Sequence, residues 1–118
     1  MVTLLALALG LAKPPAAFLQ AGQARVPLAI SSWCWGTRCG APIAASTKVA
    51  RVARGATVQI DLAFVPTRTR LAVAGVPVVF SRHGTVLSWR ATRSGGLSLN
   101  VTGTRGWVTY VGRVVVHA

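Results

Sequence analysis

From Val26 onward, the sequence consists of short apolar runs separated by Gly, Pro, Ser and Thr. The breaks recur about every ten residues, a spacing that is typical of turns between short β-strands. The clearest run covers residues 57–64, in which Val58, Ile60 and Leu62 alternate with polar side chains. A period of two predicts a strand with one buried face. Because no part of this region has helical periodicity, the sequence predicts an all-β protein.

A chain of 118 residues has room for one domain with one modest core. About seven strands joined by short turns predict a small immunoglobulin-like β-sandwich, and a small β-barrel is the alternative. Pro77 predicts an edge strand, because proline cannot donate a hydrogen bond to a neighbouring strand. Residues 67–70 and 81–84 are polar, and we predict a loop and a turn there. The predicted strands are residues 26–31, 48–52, 57–64, 71–74, 76–80, 85–91, 97–101 and 107–117.

The beginning of the chain has the features of an export leader. An apolar run over residues 3–12 is followed by Pro14 and then by small residues that suit cleavage before Arg25. The run is about ten residues long, whereas a membrane-spanning helix needs about twenty. We therefore predict a leader over residues 1–24 and a domain over residues 25–118. The mature protein is expected to be secreted or extracytoplasmic, without a transmembrane segment.

Both cysteines, Cys34 and Cys39, lie in one short segment that also holds two of the four tryptophans, Trp33 and Trp35. In an oxidising compartment the two thiols are expected to form a disulfide. So short a ring stabilises the fold by only about 2 kcal/mol, so the bond would act as a local staple. Either one indole packs inward and the other meets a partner, or both cover the end of a small core. Trp33, Trp35 and the neighbouring Arg38 are therefore candidate binding residues.

The charge of the chain is strongly positive. Thirteen Lys and Arg residues face a single acid, Asp61, which gives a net charge of +12. Such a field attracts anionic partners. The cations are dispersed and form no basic run, so we expect weakly specific association with anionic polymers and no specific nucleic-acid binding. The further candidate binding residues, all after residue 67, are Arg68, Arg70, Arg90, Arg93 and Trp107.

The sequence offers little for catalysis. General acid–base chemistry usually needs two titratable groups with separated pKa values, and the candidates besides the sole tyrosine and the cysteines are Asp61, His83 and His117. Two cysteines and two distant histidines match no recognised zinc-site spacing. We predict no catalytic residue, no metal and no cofactor. Asp61, which lies on the polar side of its strand, is expected to form a surface ion pair with an arginine.

Three segments together form a recognisable pattern. Residues 33–39 read Trp-Cys-Trp-Gly-Thr-Arg-Cys, residues 52–62 read Val-Ala-Arg-Gly-Ala-Thr-Val-Gln-Ile-Asp-Leu, and residues 106–111 have the form Gly-x-x-x-Tyr-Val. A tryptophan, Trp89, lies between the second and third segments. In this pattern the chain resembles a loosely defined group of small exported β-sandwich proteins of high-GC bacteria. The resemblance implies a sandwich fold and export, but no reaction. Members often have an acidic residue where this chain has Trp107, so no role of that acid is carried over.

These features predict a non-enzymatic binding or structural module of the cell envelope or exterior. Its partners would be anionic envelope polymers or an extracellular protein. The alternative is an inhibitor-like protein that presents the disulfide-closed loop of residues 33–39 to an enzyme. In that case the affinity would come from preorganisation of the loop.

Overall fold

The computed structural model of the protein describes residues 13–45 and 49–118. Within these ranges the secondary structure is entirely β, with twelve strands in two sheets that pack as a sandwich and do not close into a barrel. The strands are β1 (Phe18–Ala21), β2 (Ala24–Pro27), β3 (Ala29–Trp35), β4 (Arg38–Gly40), β5 (Ala50–Ala53), β6 (Thr57–Asp61), β7 (Arg68–Val73), β8 (Val76–Pro77), β9 (Ser81–His83), β10 (Val86–Arg90), β11 (Gly95–Gly103) and β12 (Gly106–His117).

The five-stranded sheet has the order β2-β1-β6-β10-β9, and all of its pairs are antiparallel. The seven-stranded sheet has the path β4-β3-β12-β11-β7-β8. Its seventh strand, β5, pairs in parallel with the C-terminal part of β12, beyond the part that pairs with β3. Strand β12 therefore has β11 along one edge and both β3 and β5 along the other.

The core lies between the inner faces of the two sheets. Ile60 and Leu87 from one sheet and Leu99, Val108 and Tyr110 from the other are completely buried. Such alternation of buried and exposed positions is what period-two strands produce when they bury one face. The all-β sandwich predicted from the sequence is confirmed, including the inward face of β6.

The sequence predicts about seven strands, whereas the described residues form twelve. The additional strands are short or polar. Residues 68–70, predicted as part of a loop, begin strand β7, and residues 81–83, predicted as part of a turn, form the edge strand β9. Both predictions were wrong because exposed strand positions can be as polar as loops. The predicted strand over residues 26–31 is divided at Leu28 into β2 and β3. Pro77 lies on an edge strand, as predicted.

Strands β1 and β2 form a hairpin at the edge of the five-stranded sheet, with β1 between β2 and β6. Ala17, Leu19 and Ala21 are buried in the core. The predicted leader overlaps this hairpin, although its residues 1–12 lie outside the described residues, as does Lys48 of the strand predicted over residues 48–52. Cleavage before Arg25 stays a prediction, and it would remove β1 from the sheet. No helix in the described ranges is long and apolar enough to span a membrane.

Candidate functional site

The outer face of the seven-stranded sheet brings several cations and one tryptophan together. In the register of this sheet, Arg68 lies beside Thr102, Thr102 beside Trp107, and Trp107 beside Cys34. Two interstrand spacings separate Arg68 from Trp107, a distance of about 10 Å. The side chains alternate with the buried positions of β7 and β12, so they point away from the core. We call this surface, which holds Arg68, Arg70, Trp107 and Arg113, the basic face.

A second row of polar side chains crosses the basic face next to the first. Arg70 lies beside Asn100, Asn100 beside Thr109, and Thr109 beside Ser32. The Asn100 side-chain amide donates a hydrogen bond of 2.8 Å to the Thr109 hydroxyl. This bond fixes two side chains in the middle of the face. The surface therefore presents hydroxyl and amide groups, with arginines on β7 and Arg113 further along β12.

Trp107 is the exposed tryptophan of the four, with a relative exposure of 36%. Its neighbour across the strand pair, Cys34, forms the predicted disulfide with Cys39, which is confirmed. Gly106 precedes Trp107, and a Cβ atom there would overlap the carbonyl oxygen of Cys34. The absence of a side chain at Gly106 thus allows β12 to approach β3 at the point where Trp107 is presented.

The two tryptophans of the disulfide loop are placed differently from Trp107. Trp33 and Trp35 are two positions apart on β3, so both face inward, and they are 7% and 5% exposed. The Trp33 indole N–H donates to the Ala41 carbonyl oxygen at 2.9 Å, and the Trp35 ring lies 5.1 Å from that of Phe64. The interpretation in which both rings cover the end of the core agrees with this arrangement. Arg38 is exposed on β4.

Arg90 and Arg93 lie away from the basic face. Arg90 ends β10 in the five-stranded sheet, and its register partner Thr57 lies on the outer side of β6. Both arginines line an open groove of about 620 Å³ at one edge of the sandwich. The fold therefore separates the two predicted arginine pairs onto different surfaces, with Arg68 and Arg70 on one sheet and Arg90 and Arg93 beside the other.

The only acid of the chain lies outside the basic face. Asp61, on β6, accepts a hydrogen bond of 2.6 Å from the Arg25 guanidinium, whose central carbon lies 4.3 Å from the centre of the Phe18 ring. The predicted ion pair of Asp61 is confirmed, and Arg25 is its partner. Because this carboxylate is already paired on the other sheet, the field over the basic face is uncompensated by any acid of this chain.

Among the described residues, the histidines and the tyrosine lie in different environments. His83, on β9, and His117, at the end of β12, are exposed. In the two described ranges, no three residues of the types His, Cys, Asp or Glu are close enough to hold a metal ion. Tyr110 is buried, and this burial raises the pKa of its phenol above the usual value. Its hydroxyl donates a hydrogen bond of 2.7 Å to the Pro15 carbonyl oxygen.

Arg68, Arg70 and Trp107 are candidates predicted from the sequence, whereas Arg113 is not among them. The signal was present, because the alternation along β12 puts Trp107 and Arg113 on the same side of the strand. The contribution of Asn100 and Thr109 depends on pairing between β11 and β12, and it cannot be seen in either segment alone. No protein-family model, curated protein or solved structure matches this chain.

Proposed function

We propose that this protein is a non-enzymatic module that binds an anionic polymer of the cell envelope or exterior on its basic face. The observation that supports the proposal is the placement of Arg68, Arg70 and Trp107 on neighbouring strands on one side of the seven-stranded sheet, with Arg113 on the same side about 20 Å from Trp107 along β12. A regular sheet holds Arg68, Arg70 and Trp107 at fixed spacings on its outer surface. Such a surface suits an extended ligand better than a small molecule.

The chemistry of the basic face suits a polymer that carries carboxylates or similar anions on rings. A guanidinium presents paired N–H donors that match a carboxylate in two parallel hydrogen bonds. The indole of Trp107 offers a flat apolar surface for a ring of the polymer. The Thr102 hydroxyl lies between Arg68 and the indole, and the Asn100 amide and the Thr109 hydroxyl continue the next row from Arg70. The pairing of Asp61 with Arg25 supports the non-enzymatic part of the proposal.

Export is part of the same proposal. The Cys34–Cys39 disulfide supports it, because such bonds persist mainly in oxidising compartments. Membership of the immunoglobulin-like sandwiches, and of the small exported proteins that the sequence resembles, is likewise proposed. The inhibitor-like alternative finds less support, because burial of Trp33 and Trp35 leaves mainly residues 36–38 at the tip of the loop for contact with an enzyme.

Binding of polygalacturonate, measured by isothermal titration calorimetry over a range of salt concentrations, tests the proposal. We expect log affinity to fall with log salt, because ion release contributes to the association. The double variant Arg68→Ser/Arg70→Ser should bind about tenfold more weakly, which corresponds to about 1.4 kcal/mol. Trp107→Ala should also weaken binding, and its effect should persist at high salt because stacking is not screened.

The matched control is Arg90→Ser/Arg93→Ser, which removes the same charge from a different surface. We expect it to weaken binding far less than the change on the basic face. Equal losses in the two double variants would mean that only the overall charge attracts the polymer. An affinity independent of salt, or one unchanged by both Arg68→Ser/Arg70→Ser and Trp107→Ala, would contradict the proposed site.

A further inference from the structure

The groove at the edge of the sandwich forms where the chain passes from one sheet to the other. Strand β8 ends the path of the seven-stranded sheet, and β9 ends the five-stranded sheet. Residues 78–80 cross between them, and β9 pairs with β10 only as far as the Ser81–Ser88 pair. The part of β10 beyond Ser88 therefore has no strand beside it on this edge. The groove occupies that position.

The exposed edge of β10 includes main-chain hydrogen-bonding groups. The Ala91 N–H donates to the Ala56 carbonyl oxygen at 2.9 Å, and the Ala91 carbonyl oxygen accepts from the Gly55 N–H at 2.7 Å. Because neighbouring residues of an antiparallel strand point to opposite sides, the N–H and C=O groups of Arg90 point toward the groove. Within the described ranges, no backbone hydrogen bond to Arg90 is formed on that side.

The side chains around this edge combine apolar and cationic character. Val79 is 96% exposed and Val76 is 39% exposed, which is unusual for side chains of this type. Phe80 packs partly against the core and lines the same groove. Arg90 and Arg93 supply positive charge, and the groove has no acidic lining residue. An open strand edge beside apolar and cationic side chains is the kind of surface that accepts an added strand.

We propose that the groove binds an extended acidic peptide segment of a partner protein, which adds to the five-stranded sheet alongside β10. The main chain of the peptide would pair with the Arg90 backbone. Its alternate side chains would divide between the two faces of the sheet. Acidic side chains on the outer face would lie near Arg90, and apolar side chains on the inner face would lie near Phe80. This site is separate from the basic face and does not depend on the function proposed for it.

A capped hexapeptide of alternating Glu and Val is a direct probe. Titration monitored by two-dimensional NMR should shift the resonances of residues 76–81 and 88–93 in a saturable manner. Two analogues, N-methylated at either the odd or the even positions, test strand pairing. Because only alternate N–H groups of an added strand face its neighbour, one analogue should bind at least tenfold more weakly than the other.

The variant Arg90→Ser/Arg93→Ser should reduce the affinity for the hexapeptide at least tenfold, whereas Arg68→Ser/Arg70→Ser should leave it nearly unchanged. A peptide with Lys in place of Glu should not bind. The proposal is overturned if both N-methylated analogues bind like the parent peptide, or if the arginine changes have no effect. It is also overturned if dodecanoate binds in the groove and the hexapeptide does not, since the site would then take an acyl-chain anion.

Discussion

Tyr110 links the first described segment of the chain to its last strand. Its ring is completely buried on β12, and its hydroxyl donates to the carbonyl oxygen of Pro15, ninety-five positions away in the sequence. Tyr110→Phe should keep the packing and leave that carbonyl oxygen without its donor. We expect the free energy of unfolding to fall by about 1–2 kcal/mol. Urea denaturation at pH 7 measures this loss, and equal stability of the two proteins would contradict it.

The same residue predicts a response to alkaline pH. Burial raises the pKa of Tyr110 in the folded protein, whereas in the unfolded chain the phenol ionises near pH 10. Protonated Tyr110 therefore makes its full contribution to the free energy of unfolding below about pH 10, and this contribution is lost as the pH rises above that value. Because this is the only tyrosine of the chain, Tyr110→Phe should remove the part of the alkaline loss of stability that comes from tyrosine ionisation. Identical pH profiles for the two proteins between pH 8 and 11.5 would contradict the assignment.

Among the strands, β12 depends on a glycine at its first position. Gly106 has a φ angle of 153°, and a Cβ atom there would overlap the Cys34 carbonyl oxygen of the neighbouring strand. Backbone cannot move aside as a flexible side chain can, so Gly106→Ala should destabilise the protein by about 2 kcal/mol or more. Gly96→Ala is the matched control, because a Cβ atom at Gly96 would meet no atom within 4 Å. Thermal unfolding of both variants, followed by circular dichroism, compares them; similar melting temperatures would argue against close packing at Gly106.

The elements that the sequence predicted well are those with strong alternation. The inward residues of β6, β10 and β11 could be identified because each inward apolar side chain is followed by a polar one. Strand β9 could not be predicted from alternation, because all three of its residues are exposed and polar. The start of β7 was missed for a related reason, since Arg68 and Arg70 occupy its outer side. Those residues were still named as binding candidates, but their placement beside Trp107 depends on long-range pairing that local sequence patterns do not contain.

At the level of the whole molecule, the N-terminal hairpin should decide whether a shortened chain folds. A protein that begins at Arg25 lacks β1, whose Leu19 side chain is buried and whose backbone pairs with both β2 and β6. We expect that chain to lose cooperative thermal unfolding, whereas a chain beginning at Lys13 should unfold cooperatively. Any processing that leaves a folded protein would then have to leave β1 in place. A stable, cooperative domain beginning at Arg25 would instead agree with the predicted leader boundary.

Strand β12 follows every other strand in the sequence, and it is also the strand on which β11, β3 and β5 assemble. Before residues 106–117 are synthesised, β5 therefore lacks its strand partner, and β3 and β11 each have one unpaired edge. The five-stranded sheet and the β3–β4 and β7–β11 pairs contain no residue of β12, so they can form earlier. The order of the strands in the sequence thus delays completion of the seven-stranded sheet until β12 is present.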